Sequence, residues 1–312
     1  MNLSFLYCFD NNFNLQALTS INSLLGKVSE KIDLYIIHND ISTFKNLAKN
    51  LNKNEKIKEI HYFDFSNNSN MLPDIKTHIS KATYYRLFIS EYLPKTVKNL
   101  IYLDADIICN KDPISDLKDC FNNMKKESKE LSAYVESTRA SNPDLFERLG
   151  LKNNNQFNAG VLLVDFEKWI LNNTSEELLK ILKERSSEIF DYDQEILNVH
   201  FDDNFNKLDK KFNFQVTNNV SINYFETVKS EAIFVHYLGK DKPWHFNRIL
   251  VPTSMIYQNE FRKLNIDKLH INFDINRRNV LRFLKIIFTF AFLNFKYPLS
   301  YLKYSFIAIF KK

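Results

Sequence analysis

The chain has 312 residues, 45% hydrophobic and 25% charged, an ordinary globular composition long enough for one large α/β domain or two smaller ones. Its four glycines (Gly26, Gly150, Gly160, Gly239) exclude a Gly-rich phosphate loop. Its three cysteines (Cys8, Cys109, Cys120) form no CxxC pair, and read as reduced, mostly buried thiols rather than a zinc site. Residues 277–312 hold eight Lys or Arg and no acid, against a whole-chain net charge of +5; residues 1–276 therefore carry −3, which excludes a uniformly basic nucleic-acid binder.

The opening "MNLSFLYCFDNNF" lacks the basic and long apolar regions of a signal peptide, and residues 3–9 read as a first strand followed by a turn at "DNNF". Apolar residues at 15, 18, 21, 24, 25 and 28 have helical spacing. Residues 31–40 read as a second strand and 41–53 as a second helix with Ser42 as its N-cap; residues 56–65 read as a third strand. This alternation predicts a parallel sheet, whose ligands sit beyond the C-terminal strand ends where strand order reverses. A helix is expected over 80–93, ending before Pro94, and then comes "NLIYLDADIICNKDP" (99–113), an apolar strand interrupted by Asp104 and Asp106.

A helix over 113–123, with Pro at an early position, leads to the solvated charge run "KKESKE". Strands follow at 130–137 and 157–166. Helices follow over 167–187, with a break near "NNTS", and over 191–201; "KKFNFQ" and "AIFVHYLG" read as later strands. No internal repeat is visible.

Alternate residues of a strand face the same way, and a chain turn at Ala105 would also bring the two acids together. Two close carboxylates repel unless a cation lies between them, and a hard divalent ion such as Mn²⁺ or Mg²⁺ suits oxygen ligands and leaves positions for phosphate. The plain alternative is that one acid caps a turn and the other pairs with a lysine.

The surroundings carry more. "ATYYRLFISEYLP" followed by "LIYLDADIICNKDPISDL" resembles the signature of glycosyltransferase family 8, which includes bacterial lipooligosaccharide α-galactosyl- and α-glucosyltransferases and glycogenin. "FNAGVLLVDFEKW" (157–169), "YDQEILNVHF" (192–201), "VHYLGKDKPWH" (235–245) and "CFDNNF" (8–13) resemble further family motifs in the same order, so the likeness spans about residues 3–250.

The resemblance implies an α/β fold of the GT-A type: a mostly parallel, Rossmann-like nucleotide-sugar-binding sheet flanked by helices, here followed by a C-terminal basic helical tail. It also implies a metal-dependent, retaining transfer of galactose or glucose from a UDP-hexose to a saccharide or glycolipid acceptor, a lipooligosaccharide or other surface glycan. On the matching positions, Asp104, Asp106 and His236 are metal ligands for Mn²⁺ or Mg²⁺. Lys242 contacts the diphosphate, with Lys240 adjacent, and Gly239 lets the loop backbone approach. Arg86 and Ala105 belong to the donor site, with Thr83 and Tyr84 beside them; Asp10 and Asn12 bind uracil and ribose, although Asn11 replaces the more usual acid. Asn158, Ala159 and Gly160 form a small-residue corner for the sugar. Asp193 holds donor-sugar hydroxyls and Gln194 lies near the anomeric carbon; Glu136 stands where the family has an Asp. Gln194 is an uncharged amide and a poor nucleophile, so same-face attack is the expected route to retention. Trp244 reads equally well as packing.

The expected organisation is a catalytic domain over 1–250, a connecting segment over 251–276 and a basic aromatic tail over 277–312. The longest uninterrupted apolar stretch in the tail, residues 286–293, falls far short of the roughly 20 residues that span a bilayer. Its cations and rings instead suit an interfacial anchor on anionic lipid, with the protein cytoplasmic and peripheral on the inner face of the cell membrane. A helix folded onto the domain is the alternative for the tail. Two other functions stand against transfer: a nucleotidyltransferase, which would need a second acid pair or a phosphate loop, and a membrane-associated nucleotide-sugar-binding protein without activity.

Overall fold

The structure is a computed structural model that describes residues 1–66, 72–73, 80–217, 219–240 and 242–310. The last two lysines of the basic tail lie outside the described residues.

The first part of the chain alternates as its apolar runs predict: β1 (Ser4–Phe9), α1 (Asn14–Leu25), β2 (Ile32–His38), α2 (Ile41–Leu47) and β3 (Ile57–Asp64). The N-cap of α2 is Asp40 rather than Ser42: the Asp40 carboxylate accepts from the Thr43 backbone amide, and the Ser42 hydroxyl donates to the same carboxylate at 2.7 Å. The expected helix over 41–53 ends at Leu47, and a separate 3₁₀ turn covers Leu51–Lys53. The expected helix over 80–93 is wound mainly as a 3₁₀ helix, Lys81–Phe88, followed by the one-turn α3 (Ile89–Tyr92).

The acid-bearing stretch is two strands, not one. β4 (Asn99–Leu103) ends before Asp104, and β5 (Ile107–Cys109) begins after Asp106. Next come α4 (Ile114–Lys126), β6 (Leu131–Thr138), α5 (Pro143–Leu149), β7 (Asn155–Asp165), α6 (Phe166–Leu171), α7 (Thr174–Arg185) and α8 (Tyr192–Phe201). α6 and α7 break at "NNTS" as their sequence predicts. The final elements are β8 (Asn206–Lys207), β9 (Phe214–Gln215), α9 (Ile222–Glu231), β10 (Phe234–His236), α10 (Ser254–Arg262), α11 (Arg277–Phe288) and α12 (Pro298–Phe310). Only the end of "KKFNFQ" is strand; Lys210–Asn213 form a 3₁₀ turn whose leading Asp209 caps Lys211.

Among the described residues seven strands form the main sheet in the order β3-β2-β1-β4-β7-β6-β8, and β5-β10-β9 form a second sheet. β3, β2, β1 and β4 pair in parallel, and β7 runs antiparallel between β4 and β6. Both faces of the central strands are covered, which explains their unbroken apolar runs. On β1, Phe5, Tyr7 and Phe9 join a core with α1, Phe44 of α2, and α4; Leu6 and Cys8 join the opposite core with Tyr84, Tyr85, Trp169, Leu178 and Leu197. Strand order reverses between β1 and β4, so their C-terminal ends open a crevice.

Residues 251–276 carry α10. Its Tyr257 and Phe261 pack with Trp244, and Gln258 donates to the carbonyls of Pro243 and His270. The inner face of the tail, Phe283, Phe292, Phe295 and Tyr301, packs on Phe246, Ile249, Leu269, Ile271 and Phe273. Its outer face exposes Leu281, Leu284 and Phe288, one stripe of α11 at helical spacing.

Candidate active site

At the reversal point lies a cavity of about 450 Å³. Leu103 is the last residue of β4 in the main sheet. The Asp104 amide still donates to the Gly160 carbonyl at 2.9 Å, and the Ile107 amide closes a turn onto the Asp104 carbonyl at 3.1 Å before β5 departs into the second sheet. The two acids therefore meet at a chain turn between sheets. β10 pairs antiparallel with β5, with His236 opposite Ile107, so a residue 130 positions away from Asp106 reaches the same turn. One ligand atom from each of Asp104, Asp106 and His236 lies within 4.8 Å of the others.

Each acid has a different protein cation. Lys242 Nζ lies 2.5 Å from Asp106 Oδ2 and 2.6 Å from the Tyr237 carbonyl. Arg86 Nη2 lies 2.6 Å from Asp104 Oδ1, which also accepts from the Tyr102 hydroxyl at 2.5 Å. Arg86 is buried over the Tyr102 ring. Its Nη1 donates to the Ala159 carbonyl at 2.6 Å, and its Nε faces the Thr83 carbonyl at 3.2 Å and Asp193 Oδ2 at 3.0 Å. All three guanidinium nitrogens thus face protein acceptors. Asp193 also accepts from the Thr83 hydroxyl. Burial pushes its carboxyl up to about 6, against the lowering pull of Arg86 and Thr83.

Asp106 is buried, and among the described residues its Oδ1 finds no hydrogen-bond donor. His236 Nε2 stands 3.5 Å from that oxygen, while His236 Nδ1 is 2.8 Å from Asn213 Oδ1. Burial pulls the imidazole below its usual range. For Asp106 burial raises the carboxyl, but Lys242 and His236 outweigh it and hold it below its usual range. A buried carboxylate oxygen with no hydrogen-bond donor among the described residues, 3.5 Å from an imidazole nitrogen, is a place that something positive would satisfy. Two carboxylates and one imidazole also form a donor set suited to a hard divalent ion, so these residues fit the expected cation.

The sugar-side residues expected from the sequence also meet here. Asn158, Ala159, Gly160, Asp193, Gln194, Ala105 and Gly239 all line the cavity, as do Arg86 and Lys242. Gln194 is fully engaged: its Oε1 accepts from the Ala159 amide at 3.0 Å and from Asn158 at 3.1 Å, and its Nε2 donates to Glu136 at 2.8 Å and Asp191 at 3.1 Å. Gly160 has a second reason to be glycine. A Cβ there would meet the His236 ring at Cε1 and Nδ1, far inside van der Waals contact. Gly239 has a φ of 69°, which favours glycine at that loop position.

Asp10 and Asn12 are not among the lining residues; Phe9 and Phe13 form that part of the wall. Asp10 instead accepts from the Asn12 amide at 2.9 Å and from the Ser80 hydroxyl at 2.5 Å. Thr83 lines the cavity but Tyr84 does not, and Trp244 is buried packing against Tyr257 and His270. Residues absent from the sequence expectation include Cys8, Tyr102, Asp191, Tyr192 and Leu238 in the wall and Asn213 behind it. Asn213 left one trace in the sequence: a polar amide within the apolar run "FNFQ".

The sequence model described as "Glycosyl transferase family 8" matches residues 4–248. The chain is 30% identical over 255 residues to a lipopolysaccharide 1,3-galactosyltransferase of Salmonella typhimurium, covering 77% of this chain and 72% of that one. It is 29% identical over 258 residues to a lipopolysaccharide 1,2-glucosyltransferase of Escherichia coli K12, covering 78% and 73%. Among solved structures, the galactosyltransferase LgtC in complex with donor and acceptor sugar analogs superposes with a TM-score of 0.68 at 21% identity, over 89% of this chain and 98% of that one. That likeness establishes a fold of the GT-A type.

Proposed function

The chain belongs to glycosyl transferase family 8, and from that membership we propose that it moves galactose or glucose from a UDP-hexose to a lipopolysaccharide-type or other surface glycan, with retention at the anomeric carbon. The observation that carries this reading is the Asp104–Asp106–His236 cluster in the wall of a cavity sited where strand order reverses. The lipopolysaccharide acceptor is supported by the names of the two relatives.

In this reading Asp104, Asp106 and His236 would hold Mn²⁺ or Mg²⁺, which when bound neutralises charge on the departing diphosphate. Lys242 reaches the diphosphate by leaving Asp106, and Gly239 gives its loop the needed turn. Asp193 and Asn158 take sugar hydroxyls. Arg86, with its nitrogens on protein acceptors, holds Asp104 and Asp193 in place. The amide of Gln194 sits beside the anomeric carbon and stabilises positive charge there as the sugar–phosphate bond breaks. The acceptor hydroxyl attacks from the face that UDP leaves, and its proton passes to the leaving phosphate oxygen. A covalent sugar adduct trapped on Asp193 or Glu136 would overturn same-face attack. Asp10 and Asn12 lie at the uracil end, where Phe9 and Phe13 offer apolar surface.

The exposed stripe of α11, flanked by Arg278, Arg282 and Lys285, supports attachment to an anionic membrane surface. Among the described residues no helix is long and apolar enough to cross a membrane. We accordingly place the catalytic unit in residues 1–250, at the cytoplasmic face, with 277–312 as the contact to lipid. The deciding experiment is a hydrolysis and transfer panel over UDP-galactose and UDP-glucose with Mn²⁺, with and without EDTA. Turnover of one donor that EDTA abolishes supports the reading; no turnover and no Mn²⁺-dependent UDP binding defeats it.

A further inference from the structure

Backbone amides settle how the buried polar groups behind the cavity are oriented. The Gly160 N–H can only donate, and it lies 3.0 Å from Asn158 Oδ1. That oxygen therefore accepts, and the Asn213 atom 2.9 Å away must be its NH₂. The Asn213 carbonyl oxygen is then the atom that faces His236 Nδ1 at 2.8 Å, and an oxygen with no hydrogen requires a proton on that nitrogen. With its proton placed at Nδ1 by this geometry, a singly protonated imidazole leaves Nε2 bare beside Asp106 Oδ1, for which no donor is found among the described residues.

The same logic continues in the other direction. The Ala159 N–H fixes the Gln194 oxygen, so the Asn158 NH₂ donates to Gln194 and Glu136, and the Gln194 NH₂ donates to Glu136 and Asp191. Every donor in the series points from His236 toward the two carboxylates. Asn213, wholly buried, is the link that joins the imidazole to the rest.

We propose that Asn213 is a positioning residue that fixes His236 as its Nδ1–H tautomer, aims the bare Nε2 at the Asp104–Asp106 pair, and ties that imidazole through Asn158 to Gln194. The consequence for a cation rests on the reading of His236 as a ligand given above; the tautomer does not. Gly160 assists by leaving room beside the ring at Cε1 and Nδ1, where a Cβ would collide with it, so the imidazole is fixed by the hydrogen bond at Nδ1 in a place only glycine leaves open. Partners of this kind typically change metal affinity by about ten- to a hundredfold when removed.

The test uses the full chain with ¹⁵N-labelled histidine, His236→Gln serving to assign the resonance. In the metal-free wild type the His236 nitrogens should show a protonated Nδ1 and a bare Nε2. Asn213→Asp keeps an acceptor at Nδ1 and should keep that pattern and bind Mn²⁺ alone at least as tightly. It loses the donation to Asn158, so its kcat falls with UDP-hexose while KM moves little. Asn213→Leu should lose the pattern and bind Mn²⁺ at least tenfold more weakly by calorimetry, with its thermal transition intact. A wild-type imidazole protonated at Nε2 overturns the proposal without any variant. So does a folded Asn213→Leu with unchanged shifts and unchanged Mn²⁺ affinity. Absence of Mn²⁺ uptake by the wild type overturns the metal reading instead, and the tautomer still decides the role of Asn213.

Discussion

Lys242 Nζ sits 2.5 Å from Asp106 Oδ2, so the ammonium expected at a phosphate occupies one of the acids expected at a metal. In the proposed reading a divalent ion at Asp106 would compete with this internal cation, and Lys242 would be freed toward the cavity. Lys242→Met should therefore bind Mn²⁺ alone as tightly as the wild type or up to threefold tighter by calorimetry. Its turnover of UDP-hexose should fall about a hundredfold, the scale of a lost charge-stabilising group. Equal losses of metal affinity and turnover would count against the exchange.

Arg86 is the sole protein cation placed between Asp104 and Asp193 among the described residues. Removing it leaves two carboxylates without their partner, one of them deeply buried. Arg86→Met should cost about 3–5 kcal/mol in urea unfolding, the usual consequence of breaking a buried ion pair. Arg86→Lys should recover part of that but not all, because a single ammonium cannot reach all four acceptors at once.

Gly160→Ala tests the approach of the His236 ring. The added methyl displaces an imidazole that is buried and hydrogen-bonded, not a free side-chain end. Mn²⁺ affinity should drop at least tenfold, whereas Gly150→Ala, with open space around its Cβ, should leave it unchanged despite a strained backbone at φ 64°. Calorimetric titration of both variants decides this.

Burial holds the Asp193 carboxyl up at about 6, above the ordinary value of about 4. Between those values the folded state keeps a proton that the unfolded chain has released, so this group makes stability fall as pH rises through the window. Above about 6 its contribution is constant. The melting temperature of Asp193→Asn, measured against pH, should lack this decline relative to the wild type, and parallel curves between pH 4 and 6 would refute it.

For the tail, deletion is a poor probe, because Phe246, Ile249, Ile271 and Phe273 pack on it. Substituting Leu281, Leu284 and Phe288 by Gln leaves the inner face intact. The wild type should sediment with phosphatidylserine vesicles and the triple variant should not, both turning over donor in solution at the same rate. Equal sedimentation would remove the membrane reading.

Much of this was legible before the fold. The central strands announce themselves as apolar runs because both faces are covered, and Asp104 and Asp106 stand out against that run. What stayed hidden depends on distant chain segments. The move of β5 into a second sheet is decided by its pairing with β10, and Asn213 acts on a residue 23 positions away. The 3₁₀ winding of Lys81–Phe88 and the cap at Asp40 lie below the resolution of periodicity. The resemblance located Lys242 near the cluster and the plain alternative paired one acid with a lysine; the structure shows that these are one pair, Lys242 on Asp106.

The turn that carries the acid pair also joins two sheets. Asp104 remains tethered to β7 of the larger one, while His236 belongs to β10 of the smaller. Any sliding of one sheet against the other would spread or close the trio, so an ion gripped by all three, as the proposed function requires, would act as a rivet through the molecule. Loading would then be felt as rigidity far from the cavity, and slower amide exchange in both sheets at once would record it.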